Sequence, residues 1–177
     1  EWGAVAYLKQ SKYGLGITDI GANSSSEYYT GGGSSSSYKS NTDQSTTGNI
    51  YGVYDMSGGS WEYVMGNMVD SNGKFYSSSA GFSSAPDSKY YDKYKYGTNQ
   101  VDHNKGKLED ATKETLSTFG SYSGGWYSDH IYMVYSVYSW FSRSGYYDSN
   151  SNAGIFRATI LIGQLYYDNS TRAVLIS

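Results

Sequence analysis

The apolar positions along this chain predict short secondary-structure elements separated by long polar loops. Residues 2–13 predict an amphipathic helix that Gly14 ends, because the apolar and basic positions suit one helix face and the helix dipole: Val5, Leu8, Lys9 and Lys12. Residues 107–118 predict a second short helix, ended by Gly120, from near-helical spacing of Leu108, Ala111, Leu116 and Phe119.

Between these helices, polar and apolar stretches alternate. Residues 21–48 are mostly Gly, Ser, Asn and Thr and predict a weakly ordered surface loop within the domain. Residues 49–69 are apolar and aromatic and predict part of the core. Residues 71–104 are polar and rich in Tyr without a clear period, which predicts a long ordered loop.

The last third of the chain is predicted to hold short strands. Residues 125–141 combine aromatic and β-branched residues with Gly and Ser breaks. Residues 172–177 predict an apolar strand whose partner lies near the N-terminus or near residue 140. Residues 155–162 also fit a buried strand, whereas the irregular mixture that follows, 163–170, fits an exposed patch selected for binding.

Composition narrows the class of protein. With 177 residues and 38% hydrophobic content, the chain is long enough for one core, and we expect a single domain over residues 1–177. A net charge of −3 and 16% charged residues do not suggest a basic surface for binding nucleic acid or a polybasic patch for binding membranes. The 22 tyrosines suit either an antibody-like contact surface or an ordinary β-surface.

The amino-acid composition limits the possible location of the protein and its possible chemistry. It has no cysteine, which excludes disulfides, thiolate metal sites and cysteine nucleophiles. Low charge and abundant Ser, Gly and Tyr favour an extracellular or virion-surface location, although a chain without cysteine also fits the cytosol. No apolar run is long enough to insert in a membrane, so any anchor is expected upstream of residue 1.

Two motifs about 90 residues apart carry a family resemblance. Residues 49–63 read N-I-Y-G-V-Y-D-M-S-G-G-S-W-E-Y, and residues 140–145 read W-F-S-R-S-G. The first resembles the N-x-x-G-L-Y-D-M-x-G-N-V-W-E-W stretch of formylglycine-generating-enzyme-type domains, a branch of the C-type lectin fold. The second, with the segment from Arg172, resembles that family's R-G-G strand and closing strand. The same pairing resembles the variable proteins of diversity-generating retroelements.

The resemblance implies an α+β fold, namely a C-type lectin fold of the formylglycine-generating-enzyme type with long irregular loops and two short helices. It also implies structural roles for Asp55, in a turn, and for Glu62, beside a core Trp61. The variable proteins are binding proteins, so the resemblance implies a non-catalytic domain that binds a protein or glycan on another cell or phage.

The residues needed for the family's enzymes are missing. Formylglycine-generating enzymes use a cysteine pair, and the related iron-dependent enzymes need several histidines, whereas this chain has His103 and His130 alone, each expected to be an ordinary surface residue. The Gly-x-Ser-x-Gly elbow of serine hydrolases does not occur. We expect no catalytic residues and no cofactor; calcium is unsupported by ligand spacing, and metal binding is left open.

The C-terminal segment has a biased composition. Residues 141–177 contain no Lys, Glu, Met or Trp and a single Gln, Gln164. Randomising the adenines of Asn codons that end in a pyrimidine cannot produce any of these five residue types. This predicts a variable ligand-binding segment at about 141–173, with a fixed framework at Trp140, Phe141, Arg143, Gly145, Ala153, Gly154, Phe156, Gly163, Ser170, Arg172, Val174 and Leu175.

Three residues depart from the framework pattern: Ser144, Thr171 and Ala173. The predicted ligand contacts are Ser142, Ser144, Tyr146, Asp148, Ser149, Arg157, Thr159, Leu161, Ile162, Leu165, Tyr166 and Tyr167. Two alternatives stay open: a structural module of a phage tail or pilin-like filament, which concentration-dependent assembly would favour, and an enzyme, which a stoichiometric tightly bound metal would favour.

Overall fold

The computed structural model describes residues 2–72, 74–76, 86–99, 103, 111–116 and 119–173. Within them the fold is mixed α+β, with one α-helix, α1 (Trp2–Gln10), and one sheet of five strands: β1 (Trp61–Val69), β2 (Asp92–Lys95), β3 (Trp140–Arg143), β4 (Ala158–Leu161) and β5 (Asn169–Thr171). Short 3-10 helices lie at Ser37–Lys39, Thr42–Gln44, Ser88–Tyr90, Ala111–Glu114, Trp126–Ser128 and Asn150–Asn152. None of the helices in these ranges is long and apolar enough to cross a membrane.

Strand β1 is the centre of the sheet. On one side it pairs antiparallel with β3, which pairs antiparallel with β4. On the other side its first residues pair parallel with β5, and its last residues pair parallel with β2. A register shift between Tyr63 and Asn67 bends the strand between these two pairings.

The strand registers define two faces of the sheet. Because successive side chains of a strand point to opposite sides, the pairings of Glu62 with Arg143 and of Arg143 with Ala158 place these three on one side. We call this the inner face; it also carries Val64, Phe141 and Ile160, which pack with Met68, Ile131 and Met133 in the main core cluster. The opposite side is the outer face, with Trp61, Tyr63, Ser142, Thr159 and Leu161.

The first predicted helix is confirmed, with an earlier end. Helix α1 stops at Gln10, and the chain turns back so that the Gly16 amide donates to the Lys9 carbonyl at 2.9 Å. A Cβ at Gly14 would lie 2.2 Å from the Leu8 carbonyl oxygen, so glycine is needed for this turn. Lys9 does not face solvent as a helix-end charge: it is buried, with Nζ 3.9 Å from the ring centre of Tyr127 and 3.7 Å from Asp19.

The second predicted helix is wrong in its described part. Residues Ala111–Glu114 form a short 3-10 helix, and the chain then pairs with a later segment through Thr115 and Gly125. The Leu116 amide donates to the Gly124 carbonyl at 2.7 Å, which takes the backbone out of a helical path. Residues 107–110 and 117–118 of the prediction lie outside the described residues.

One loop prediction is corrected, and the predicted closing strand lies mostly outside the described residues. Residues 71–104 are not only loop, since β2 lies within them and pairs with β1. The last strand of the described residues is β5, which ends at Thr171 and pairs with β1. Arg172 and Ala173 follow it without strand structure, and residues 174–177 lie outside the described residues.

The polar stretch 21–48 is ordered by hydrogen bonds instead of apolar burial. Asn23 is buried; its amide donates to the Ser57 carbonyl at 2.8 Å, and its side chain donates to Asp55 Oδ1 at 2.7 Å. The Gly31 amide donates to the same carboxylate oxygen at 3.1 Å. Asp55 therefore has the structural role that the resemblance implies. A Cβ at Gly58 would lie 2.3 Å from the Asn23 carbonyl oxygen, so this turn requires glycine.

Two ion pairs lie on the inner face. Arg143 Nη1 lies 2.5 Å from Glu114 Oε2, and the two side chains are 8% and 12% exposed. Arg172 Nε donates to Glu62 Oε1 at 3.0 Å, and its Nη2 donates to the same oxygen and to the Tyr54 carbonyl. Burial raises the pKa of Glu62, and Arg172 opposes that rise. Glu62 thus links β1 to the residue after β5 and has a structural role.

Candidate ligand-binding face

The structure brings several predicted contact residues to the outer face. Ser142 pairs with Thr159, and Leu161 lies two positions further along β4, so these three point to the same side. Arg157 directly precedes β4 and lies two positions before Thr159, so its side chain points to the same side of the sheet. Its guanidinium carbon lies 4.5 Å from the ring centre of Trp61. Residues distant in the chain therefore share one surface.

A row of aromatic rings in contact with one another borders this surface. Trp61 stacks on Tyr146, with ring centres 5.4 Å apart and planes inclined by 22°. Tyr147 meets Tyr146 edge to face at 5.4 Å and Tyr28 edge to face at 6.0 Å. The loop that supplies Tyr146 is held by Ser149, whose Oγ accepts a hydrogen bond from the Tyr146 amide at 3.0 Å. This hydrogen bond thus holds the loop that carries Tyr146 and Tyr147.

The loop between β4 and β5 forms an exposed tip. Its base is held by Gln164, whose carbonyl accepts hydrogen bonds from the Tyr63 hydroxyl at 3.0 Å and from the Asn169 side chain at 3.2 Å. The loop presents Leu165, Tyr166 and Tyr167, which are 93%, 49% and 78% exposed. Tyr167 lies close enough to Tyr147 to raise the pKa of the Tyr147 phenol, so the tip continues the aromatic border.

Four predicted contacts lie beneath this surface and are corrected to supporting positions. Ser142 and Thr159 are buried in the sheet between neighbouring strands. Ser144 has a φ of +78° and donates from Oγ to the Gly58 carbonyl at 3.0 Å, so it fixes the turn at Gly58. Ser149 is buried because it holds the Tyr146 loop.

The other predicted contacts are at or near the surface, with Arg157 as the exception. Asp148 and the three tip residues are exposed, and Tyr146, Leu161 and Ile162 are half-buried. These seven stay predicted ligand contacts. Arg157 is buried under aromatic rings.

Sequence reasoning missed several aromatic residues of this face: Tyr28, Trp61, Tyr63, Tyr122, Tyr132 and Tyr147. Trp61 was expected in the core, but it is half-buried on the outer face, because Glu62 beside it takes the inner position. Tyr147 lies in the compositionally biased segment, next to the predicted contact Tyr146, and could have been predicted from that position. The others come from distant parts of the chain that tertiary structure brings together.

Buried titratable groups lie beneath the aromatic residues. Asp129 Oδ2 accepts a hydrogen bond from the Phe156 amide at 2.8 Å, and burial raises the pKa of this carboxyl to about 7. His130 lies between Tyr122 and Tyr132, with ring centres 4.7 and 4.3 Å away, and burial together with Arg157 lowers its pKa to about 4. His130 is therefore a buried neutral residue and not the surface residue expected.

Replacing Asp129 by Asn is expected to stabilise the protein at pH 8 and to have little effect at pH 4. The folded carboxyl stays protonated up to a pKa of about 7, whereas the unfolded one ionises at a pKa of about 4. Stability is therefore lost as pH rises through this window, by up to about 1.4 kcal/mol per pH unit. Asparagine does not titrate, so urea unfolding of both proteins across the window measures this effect.

The comparison with the variant separates the effect of Asp129 on stability from that of His130. The lowered pKa of His130 acts in the opposite direction, because its contribution is lost as pH falls from about 6.5 towards about 4. This contribution is present in both proteins and cancels in their difference. A difference in the free energy of unfolding that does not change with pH would contradict a buried protonated carboxyl at Asp129.

Within the described ranges no three His, Cys, Asp or Glu side chains come together as a metal site. Comparison of the chain with protein-family models, with curated proteins and with solved structures gives no match.

Proposed function

We propose that this chain is a non-catalytic ligand-binding domain with a C-type lectin fold of the formylglycine-generating-enzyme type, whose outer face is diversified by a retroelement. It binds a protein on another cell or phage, from an extracellular or virion-surface position. The observation that carries the proposal is the convergence of the biased segment and the distant aromatic residues on one face of the sheet.

The framework contacts support the fold part of the proposal. The residues that the resemblance assigns to structure are paired, with Glu62 and Arg143 buried and Asp55 half-buried: Asp55 with Asn23, Glu62 with Arg172, and Arg143 with Glu114. These contacts lie in the turn before β1 or on the inner face. The outer face is thus free to change without loss of these pairs.

The chemistry of the outer face favours a protein over a glycan. Sugars are bound by open aromatic rings, whereas Trp61 is already in contact with Tyr146 and Arg157. The exposed tip instead offers Leu165 and two tyrosines, which combine apolar area with hydroxyl groups. Tyrosine is enriched at protein interfaces, where a few such residues supply most of the binding energy.

Sequencing the gene from many cells of its source population, with the downstream DNA, tests diversification. We expect substitutions concentrated in codons 142–173 and traceable to adenines of a nearby near-identical repeat beside a reverse-transcriptase gene. An invariant segment would contradict the proposal and favour a structural module of a phage tail or pilin-like filament.

A double variant tests the face. Tyr166→Ala with Tyr167→Ala is expected to weaken binding of a purified protein ligand at least about 30-fold, because two interface tyrosines contribute roughly 1 kcal/mol or more each. Tyr7→Ala with Tyr13→Ala is the matched control, since both are exposed tyrosines outside the outer face. Equal affinities of the two double variants, measured by calorimetry, would show that the tip does not bind the ligand.

Sedimentation of the purified chain distinguishes the filament alternative. The binding domain is expected to keep one mass over a wide concentration range. A mass that rises with concentration, and that the tip double variant returns to the monomer, would favour a filament subunit.

A further inference from the structure

Arg157 is a buried cation without a carboxylate partner. The residue is 6% exposed, and no Asp or Glu of the described residues lies within 4.0 Å of its guanidinium. The other two arginines of the sheet region, Arg143 and Arg172, are each paired with a glutamate that is at most 12% exposed. A buried charge is normally paired, because removing it from water without a partner is unfavourable.

The hydrogen bonds of Arg157 leave one edge of the guanidinium unused. Nη1 donates to the Asn152 carbonyl, while Nε is buried and has no partner within the described part of the chain. Nε and Nη2 form the side of the guanidinium that binds a carboxylate through two parallel hydrogen bonds. This geometry is specific for a planar group with two acceptor oxygens.

His130 adds a second unused polar group beside Arg157. It is 4% exposed, and neither ring nitrogen has a hydrogen-bond partner in the described residues. The His130 carbonyl accepts a hydrogen bond from the Ala158 amide at 3.0 Å, which places His130 next to the residue that follows Arg157. Burial and the charge of Arg157 lower the pKa of His130 to about 4, so the ring is neutral and retains one N–H donor. Two buried side chains thus hold unused donors at the same place on the outer face.

Aromatic side chains cover these groups, and Tyr122 is the most exposed of them. Tyr122 meets His130 edge to face at 4.7 Å and is 65% exposed, so most of this side chain faces solvent. Tyr146 and Tyr132 border Arg157 closely enough to influence its pKa. The nearby Asp129 accepts a hydrogen bond from the Phe156 amide and is not within ion-pair distance of Arg157.

We propose that Arg157 and His130 form a subsite for the carboxylate of an acidic side chain on the protein ligand, opened when Tyr122 moves aside. This inference rests on the proposed function and specifies the chemistry that the outer face recognises. An Asp or Glu of the partner pairs with Nε and Nη2 of Arg157, and the exposed tip binds the surrounding apolar surface.

Two capped tripeptides, acetyl-Gly-Glu-Gly-amide and its Gln counterpart, test the subsite by NMR of the full chain. We expect the Glu peptide to shift the Arg157 Nε–Hε resonance saturably, with a Kd at least tenfold below that of the Gln peptide. Arg157→Lys keeps the charge but lacks the fork, and it is expected to weaken Glu-peptide binding at least tenfold. Lys12→Gln removes a cation elsewhere and should leave the Kd unchanged.

Tyr122→Ala provides a second variant that does not disturb the buried charge. We expect it to tighten Glu-peptide binding several-fold, because the cover is then absent. Equal Kd values for the Glu and Gln peptides, or equal losses in Arg157→Lys and Lys12→Gln, would overturn the proposal. If the tip double variant abolishes binding of a protein ligand while Arg157→Lys leaves it intact, the subsite fails and the proposed function stands.

Discussion

Replacing Arg143 by Met is expected to lower the free energy of unfolding by about 3–5 kcal/mol, because it leaves a buried carboxylate without its partner. The Arg143 and Glu114 side chains are 8% and 12% exposed, and Nη1 and Oε2 lie 2.5 Å apart. Arg143 also donates to the Phe156 carbonyl at 3.4 Å, so the variant loses a link between the inner face and the segment before β4. Urea unfolding monitored by circular dichroism measures the change.

The double variant Arg143→Met with Glu114→Met is the control for this prediction. It removes both charges, so no unpaired carboxylate stays buried, and apolar replacement of a buried ion pair is often neutral or stabilising. We expect the double variant to be more stable than Arg143→Met alone. If the double variant were less stable than the single one by the full effect of a second mutation, the two side chains would not be energetically coupled.

Replacing Phe156 by Ala is expected to destabilise the protein by about 3–5 kcal/mol, the usual range for deletion of a buried aromatic ring. Phe156 is 1% exposed and stacks on Tyr127 at 5.5 Å while meeting Trp126 edge to face at 5.2 Å. It belongs to the second core cluster, with Ala6, Ile20, Met56 and Ile155. Loss of the ring therefore weakens the contact between α1 and the segment before β4.

Leu165→Ala is the matched control, since it also removes apolar atoms but from the exposed tip. We expect a change in the free energy of unfolding within about 0.5 kcal/mol, as for surface substitutions in general. Thermal or urea unfolding of the two variants side by side provides the test. A loss below about 1 kcal/mol in Phe156→Ala would mean that this second cluster contributes little to folding.

Local patterns were enough to predict some elements. Helix α1 follows from spacing over a few residues. The roles of Asp55 and Glu62 as structural residues followed from the motif at residues 49–63. The helix is determined mainly by residues close in the chain, whereas Asp55 and Glu62 act through distant partners, Asn23 and Arg172.

Local sequence patterns did not predict the pairings between distant segments. The strand β5 next to β1, the strand β2 within a polar stretch, and the backbone pairing of Thr115 with Gly125 depend on contacts far along the chain. The order of residues 21–48 arises from hydrogen bonds to Asn23 and Asp55, which composition does not show. Tertiary contacts override local preference at all of these positions.

The site was predicted in part for the same reason. The biased composition indicated the segment and the exposed tip, but it did not distinguish the covered positions Ser142 and Thr159 from the surface position Leu161. Burial depends on which residues of other segments lie above each position. His130 shows this most clearly, since Tyr122 and Tyr132 enclose a residue that composition alone would leave on the surface.

The strict alternation of inner and outer side chains in β4 restricts how this surface can evolve. Ala158 and Ile160 belong to the core, whereas Thr159 and Leu161 lie on the other side of the sheet. Insertion or deletion of one residue here would exchange the two sets and turn every core residue outward. Genetic variation of this strand must therefore replace residues without insertion or deletion. Substitutions can change the side chains of this surface, but the length of the strand must stay constant.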